Sequence, residues 1–288
     1  MEPDIVKQSG QRLGTICDLS SEQIASFQER IYKHYRSKGR ELPWRKTRDP
    51  YKILVSELML QQTQVERVLV KYPLFLNNFP TFSALSNAPL KNVLEVWQGL
   101  GYNKRAIALK RIAQTVATQF MGKLPSDYSV LTGLPGIGHT TACAIRTFAF
   151  DIPSVFIETN IRTVYIYTFY AEEHDIKDDS LYPLVESTLD RSNPRNWYYA
   201  LMDYGSMLKR QHTNPSRKSA RHKKQAPFKG SNRQLRGKII SLIIVHSGIT
   251  ETDLTRRLNA DPQAISRNLQ KLQEEGFLKR EQSKIFIA

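Results

Sequence analysis

Residues 130–150 read Val-Leu-Thr-Gly-Leu-Pro-Gly-Ile-Gly-His-Thr-Thr-Ala-Cys-Ala-Ile-Arg-Thr-Phe-Ala-Phe, a helix that runs into Leu134–Gly138 and a second that leaves at once. Pro135 and the glycines break the apolar period, and His139-Thr140-Thr141-Ala142 restarts it. Gly136 and Gly138 allow backbone conformations closed to other residues, so their amides can lie bare at a helix N-terminus. The positive end of the helix dipole and the uncapped N–H groups there suit a phosphate. A lone Gly-x-Gly turn mostly just joins two helices; the whole run is far more specific, and it commits this region to packed helices around a tight hairpin.

The charge points to the same kind of partner. Lys and Arg number 42 against 27 Asp and Glu, a formal excess of +15. Between Asp203 and Glu251 there is no acidic residue, while Lys209, Arg210, Arg217, Lys218, Arg221, Lys223, Lys224, Lys229, Arg233, Arg236 and Lys238 fall in that window. Each phosphate neutralised by such a cation releases counterions, which favours a nucleic-acid partner. An anionic membrane surface fits less well, because the basic stretch carries little apolar face. The bland alternative is a protein that is merely basic and soluble.

With 288 residues, the rule of about 150 per domain gives roughly two domains. No apolar run approaches a membrane span, and the N-terminus Met-Glu-Pro-Asp-Ile-Val-Lys lacks a secretory apolar core. Cys17 and Cys143 are too few for a disulfide framework or a four-cysteine metal site. Helical spacing predicts helices over 21–35, 52–71, 81–86, 89–97, 103–120, 126–133, 139–150, 160–170, 180–189 and 195–208, with 41–50 a loop. Residues 209–231 read as a basic linker or ordered loop. Three further helices follow, over 232–246, after the cap-like pair Thr250 and Asp253, and from Asp261-Pro262 to Gly276. Phe277–Ile287 reads as two short strands turning at Gln282-Ser283, which gives a winged-helix pattern. On its third helix Gln263, Ser266, Arg267 and Gln270 are placed to meet a major groove; docking of a protein, or packing alone, is the other use of such a segment. Within the 52–71 helix, Glu57, Gln61 and Gln64 make a polar stripe that is either a solvated face or a site.

Further words of the sequence carry a resemblance. Leu134-Pro135-Gly136-Ile137-Gly138 with Thr140-Thr141-Ala142 resembles the helix-hairpin-helix of the endonuclease III superfamily of DNA glycosylases. Leu42-Pro43-Trp44-Arg45, Arg48-Asp49-Pro50-Tyr51, the run from Ser56 to Val65, Trp97-Gln98-Gly99-Leu100-Gly101-Tyr102 with Arg105-Ala106, and the run from Ala200 to Met207 resemble the MutY-type adenine DNA glycosylases, in that family's order, over about residues 28–225. The resemblance implies an all-α, two-lobed helix-hairpin-helix glycosylase fold with a C-terminal α+β winged helix. The domains expected are an extension over 1–27, a glycosylase domain over 28–208, a basic loop over 209–231 and a winged helix over 232–288.

By the same resemblance Glu57 is the general acid that protonates a ring nitrogen of a flipped-out purine and then helps position water. The chemistry is apt, since an adenine anion leaves poorly and a partly desolvated carboxyl can hold its proton near neutrality. Glu158, in Val155-Phe156-Ile157-Glu158-Thr159-Asn160, takes the position of the family's aspartate, where a carboxylate stabilises an oxocarbenium-like sugar. It has one methylene more, and its other reading is as a partner for the N-terminus of the next helix. Trp44, Arg45, Leu60, Thr140 and Tyr199 are the expected base-pocket residues. Tyr102 corresponds to the wedge in the base stack, and Gln61 and Gln62 to its neighbours; a buried core tyrosine is the ordinary alternative for Tyr102. Gly136, Gly138, His139, Thr141, Arg105, Arg217, Lys218 and Arg267 complete the expected DNA contacts.

Four further departures qualify the family reading. Thr140 stands where bifunctional relatives carry a Schiff-base lysine, so the expected enzyme is monofunctional and leaves an abasic site. Lys209, Ser216, Ser219 and Gln225 fall where relatives place the four cysteines of a [4Fe–4S] cluster, so no cofactor is expected beyond a monovalent cation at the hairpin. Tyr199 replaces a glutamine that helps read adenine, and a winged helix replaces the domain that recognises 8-oxoguanine. The expected reaction is removal of a mispaired adenine opposite 8-oxoguanine or guanine. Its rivals are removal of thymine or uracil from deamination mismatches, and a catalytically silent DNA-binding protein. The expected partner is double-stranded DNA with a mismatched or damaged pair, met by a monomer in the cytoplasm at the nucleoid, or in a eukaryotic nucleus, with no membrane.

Overall fold

The computed structural model describes residues 19–222 and 226–288. In chain order the helices are α1 (Ser21–Lys38), α2 (Pro50–Leu60), α3 (Val65–Asn78), α4 (Phe82–Asn87), α5 (Leu90–Trp97), α6 (Lys104–Gln119), α7 (Tyr128–Gly133), α8 (His139–Phe150), α9 (Thr159–Phe169), α10 (Asp178–Ser187) and α11 (Pro194–Gln211). The C-terminal part adds α12 (Asn232–Val245), β1 (Ile249–Thr250), α13 (Glu251–Leu258), α14 (Pro262–Glu274), β2 (Leu278–Glu281) and β3 (Lys284–Ile287). Short 3-10 turns lie at Pro43–Lys46, inside the expected loop, and at Pro215–Lys218. The chain forms two compact units. Among the described residues one contains 19–48, 126–132 and 137–222; the other contains 49–125, 133–136 and 226–288. Among the described residues no helix is long and apolar enough to cross a membrane.

In the first unit, α1 opens on a capping box in which Ser20 and Gln23 exchange hydrogen bonds. It turns Phe27 inward against Tyr165, Phe169 and Trp197. Phe27 is thus a core residue of this unit. Helices α9 and α11 press together at Gly205, where any Cβ would overlap the Asn160 carbonyl. The expected linker over 209–231 is only partly one. It begins as the last turn of α11, then packs its 3-10 turn on α9, and Ser219 forms a parallel bridge with Ile176.

In the second unit, Asp49 caps α2 by accepting from the amides of Tyr51 and Lys52, with Pro50 in the first turn. Tyr51, Ile53, Leu54, Val55, Ser56, Leu58 and Met59 are all buried, so α2 is a core helix with almost no free face. The single helix expected over 52–71 is two. Gln62 adopts φ +52°, and the amide of Thr63 turns back to the Leu60 carbonyl. The carbonyls of Leu58, Met59 and Gln61, which would carry the helix onward, accept instead from the Arg105 guanidinium.

The winged helix lies in this second unit. Its sheet has the order β1-β3-β2, both pairs antiparallel, so a short strand at Ile249–Thr250 joins the expected hairpin. The turn between β2 and β3 holds Gln282 at φ +56°. Asp261 caps α14 through the amides of Gln263 and Ala264, with Pro262 behind it, as the Asp-Pro pair predicts. Thr250 caps α13 by accepting from Asp253 N, while the Asp253 carboxylate accepts from the Thr250 hydroxyl rather than from backbone.

Candidate active-site residues and nucleic-acid interface

The hairpin is built from α7, the Leu134–Gly138 turn and α8. Leu134 and Ile137 are buried and pin the turn from inside. Gly136 has φ +78°, and a Cβ there would stand 3.1 Å from Ala108 Cβ, so both conformation and space require glycine. Gly138 differs from expectation: its φ of −94° with ψ −178° is ordinary extended backbone. As N-cap of α8 it supplies no side chain, which leaves the first-turn amides of α8 without a side-chain cap. His139 begins that turn with Nδ1 2.9 Å from the Tyr128 hydroxyl, and Thr140 and Thr141 follow, both half-buried. The Gly136 carbonyl accepts from Gln61 Nε2 at 3.3 Å, so a monovalent cation at the hairpin would share that oxygen.

Glu57 is half-buried, one turn before the end of α2, with Leu60 as the last helical residue. Gln61 is the C-cap of α2 and Gln64 the N-cap of α3, so Glu57, Gln61 and Gln64 do not share one helical face. Two residues with positive φ, Gln62 at +52° and Tyr102 at +46°, sit in the turns on either side of Arg105. Nη1 of Arg105 donates to Leu58, Met59 and Gln61 carbonyls, and Nη2 to the Gly101 carbonyl at 2.9 Å and Thr63 Oγ1 at 3.0 Å. The sequence reading puts Arg105 against DNA. It is 8% exposed with its donors committed to backbone carbonyls and the Thr63 hydroxyl, so it welds the turn after α2 to the turn that carries Tyr102. Burial lowers its pKa to about 10, which still leaves it charged at neutral pH. The Tyr102 ring lies 5.5 Å from the guanidinium and is 37% exposed, unlike a core tyrosine.

The remaining expected residues, apart from Arg267, belong to the first unit. Trp44 is buried in the Pro43–Lys46 turn. Arg45 donates to both oxygens of Asp203 at 2.8 Å and stacks over the Tyr199 ring at 4.5 Å. Tyr199 in turn lies flat on Phe148, centroids 4.5 Å apart at 7°. Asp203 is the functional-looking residue that reasoning on the sequence leaves without a role. Its only signal there is an acid inside the otherwise apolar Ala200-Leu201-Met202-Asp203-Tyr204 run. Burial pushes its pKa up, but the hydrogen bonds and charges of Arg45 and Arg40 outweigh this and hold it below the usual carboxylate range.

Glu158 is the N-cap of α9: Oε1 accepts from Asn160 N at 2.8 Å and Ile161 N at 3.1 Å, and Oε2 from Asn160 Nδ2 at 3.2 Å. The extra methylene is accommodated by folding the carboxylate back over the helix end. Asn160 Oδ1 then accepts from Lys209 Nζ at 2.8 Å. Burial lowers the Lys209 pKa, opposed by the Glu158 charge. A half-buried cation thus lies two hydrogen bonds behind this carboxylate, a connection between residues 158 and 209 that no local pattern reveals.

A model of the HhH-GPD superfamily, base excision DNA repair proteins, matches residues 55–223. The chain belongs to that superfamily. A winged helix-turn-helix DNA-binding model matches residues 233–279 of the same chain. An adenine DNA glycosylase of Buchnera aphidicola subsp. Baizongia pistaciae is 36% identical over 185 residues, covering 63% of this chain and 52% of that protein. One of Mycobacterium tuberculosis is 40% identical over 131 residues, covering 45% of this chain and 43% of its own. This HhH-GPD chain therefore spans about half the length of the curated relatives it matches. Among solved structures, a thermostable thymine-DNA glycosylase superposes with a TM-score of 0.62 at 25% identity, covering 69% of this chain and 93% of that one.

Three of the four positions at which the resemblance sets cluster cysteines lie among the described residues. Lys209 holds Asn160, and the Ser216 hydroxyl donates to Asn214 Oδ1 at 2.8 Å. Ser219 is buried at the bridge to Ile176. None is a thiolate, and Gln225 lies outside the described residues. Among the described residues no group of three or more His, Cys, Asp or Glu stands together to hold a metal. The loop is closed by protein groups: Asp178, itself buried, pairs with Arg162 at 2.7 Å and with Arg221 at 3.2 Å. Lys218 reaches the Ala171 carbonyl, and Arg217 is exposed. In the winged helix, Arg267 lines a small groove of α14 with Asn232, Ala264, Asn268 and Lys271. Its side chain is 70% exposed, with Nη2 3.9 Å from Asp261 Oδ2.

Proposed function

We propose that this protein is a monofunctional DNA glycosylase of base excision repair that removes a mispaired adenine, opposite 8-oxoguanine or guanine, from double-stranded DNA. The observation that carries the reading is the Arg105 weld. It joins the end of the helix bearing Glu57 to the turn bearing Tyr102, within a region matched by a base excision repair family. An acid that acts on an extruded base and a ring that fills the vacated stack must keep a fixed separation, because misplacement by about 1 Å costs on the order of 100-fold in rate.

In this reading Tyr102, with Gln61 and Gln62 beside it, enters the stack as the target nucleotide leaves. Glu57 donates its proton to a ring nitrogen of the base, and the bond from that base to the sugar C1′ breaks with its electron pair on the base. Glu158 stabilises the oxocarbenium-like sugar. Water adds its oxygen to C1′ and passes a proton to the Glu57 carboxylate, which restores the acid. The products are free adenine and an abasic site. Thr140 offers no amine for a Schiff base, so the sugar stays intact. The hairpin amides of α8, with His139 and Thr141, and the exposed Arg217 and Arg267 supply phosphate contacts.

Two observations favour a second substrate, thymine or uracil from a deamination mismatch. The superposed glycosylase acts on thymine by its name, and the Tyr199 phenol cannot present the paired donor and acceptor of an amide. One experiment separates the readings. Duplexes carrying A opposite 8-oxoguanine, A·G, T·G and U·G are incubated with the protein and then treated with alkali. Breaks in the adenine duplexes that vanish in Glu57→Gln are expected. Breaks confined to T·G and U·G establish the rival substrate, and cleavage of none leaves a DNA-binding protein. Nicking without alkali refutes monofunctionality.

A further inference from the structure

We propose that the winged-helix segment braces the Tyr102 wedge, with Arg233 as the positioning residue that holds the ring for insertion. The inference rests on the glycosylase reading and assigns the appended segment a task inside that reaction, beyond any DNA contact of its own.

Contacts from the winged helix converge on the wedge turn and both of its flanks. Before the turn, helix α12 packs on α5, and Ser241 Oγ donates to Oε1 of Gln98 at 3.2 Å. At the turn, Arg233 Nη1 donates to the Tyr102 hydroxyl at 2.9 Å, while its Nη2 is anchored on the Ala226 carbonyl at 2.8 Å. After the turn, Glu275 at the end of α14 pairs with Lys104 at 3.0 Å, and also with Arg236 of α12. Gln98, Tyr102 and Lys104 span the Trp97–Tyr102 motif and the first residue of α6. The winged helix therefore grips this loop before, at and after its strained residue.

Such a grip answers a physical need. Tyr102 has φ +46°, a conformation that strains a non-glycine residue and persists only when its surroundings over-determine it. Arg105 restrains the backbone from inside through the carbonyls of Gly101 and Tyr102. The ring lies 5.5 Å from the Arg105 guanidinium and is partly exposed. Arg233 fixes the far end of the ring by its hydroxyl. A ring already in place loses little freedom on entering the stack, so less of the energy of DNA binding is spent on ordering it.

The test is a double-mutant cycle on base extrusion. 2-Aminopurine at the target position of a duplex reports unstacking, followed by stopped flow with wild type, Arg233→Met, Arg233→Lys, Tyr102→Phe and the pair Arg233→Met with Tyr102→Phe, at protein concentrations saturating for each. Arg233→Met is expected to slow extrusion about tenfold, Tyr102→Phe to match it, and the pair to be no slower than either. Arg233→Lys should recover part of the rate, with thermal unfolding midpoints unchanged throughout. Additive losses in the pair would overturn the proposal, since Arg233 would then act on phosphate rather than through the hydroxyl. An effect that disappears at saturating protein would overturn it for the same reason. A wild-type signal unmoved by Arg233→Met sinks this proposal alone, whereas a wild type that never unstacks the probe and excises no base sinks the glycosylase reading and this one with it.

Discussion

Arg105 Nη1 donates to the Gln61 carbonyl at 2.6 Å across 44 positions of sequence. The same nitrogen holds the carbonyls of Leu58 and Met59 at 2.8 Å each. Removing the guanidinium strands several buried acceptors at once, each costing about 1–3 kcal/mol. Arg105→Met should therefore destabilise the protein by about 3 kcal/mol or more, measured as a shift of the urea midpoint. A change below about 1 kcal/mol would show that water replaces the guanidinium and that the two turns are not welded by it.

Asp203 should dominate the acid limb of stability. Its folded pKa lies below the ordinary value, so its contribution is complete above the carboxylate range of the unfolded chain and is lost as pH falls through the depressed folded value. Asp203→Asn should cost about 3–5 kcal/mol at neutral pH, because it leaves Arg45 and Arg40 facing a neutral amide. The difference from wild type should shrink on acidification below about pH 4, where the residue begins to take up its proton in the unfolded chain while the folded carboxylate stays charged. Unfolding curves that stay parallel down to pH 2 would remove the ion pair from the account.

Glu158 can be tested apart from its cap. Glu158→Gln retains an oxygen for the amides of Asn160 and Ile161 and should lose less than about 1 kcal/mol of stability. If the carboxylate charge stabilises the reacting sugar, single-turnover excision should fall by more than about tenfold in the same variant. Full activity in Glu158→Gln would reduce this residue to a helix cap.

The two hairpin glycines should behave differently. Gly136→Ala meets a positive φ and the Ala108 methyl, and should cost about 1–2 kcal/mol before any repacking. Gly138→Ala meets extended backbone and open space, and its cost should stay within about 0.5 kcal/mol. Thermal melts of the pair decide it; equal losses would contradict the hairpin geometry.

What was legible in the sequence was local. The hairpin turn, the Asp261-Pro262 start of α14, the strands either side of Gln282-Ser283 and most helices are written in contiguous residues, and the structure has them where the patterns predict. What was not legible depends on distant partners. The break after Leu60 follows from a guanidinium supplied by α6, so the apolar period alone runs straight through it. Strand β1 exists only because β3 pairs with Ile249 and Thr250. The burial of Arg45 depends on Asp203 and Tyr199, both more than 150 positions later. Conversely, the left-handed residues Gln62 and Tyr102 carry no signature of their own, since neither is a glycine or an asparagine.

The parallel bridge between Ile176 and Ser219, with Asp178 clasped by Arg162 and Arg221, turns the segment after α11 from a tail into a platform. A cationic tail surrenders configurational entropy when it condenses on a polyanion; side chains mounted on a platform have little left to surrender. Arg217 and its neighbours should thus bind with a steep dependence on ionic strength and almost no accompanying heat-capacity change from ordering.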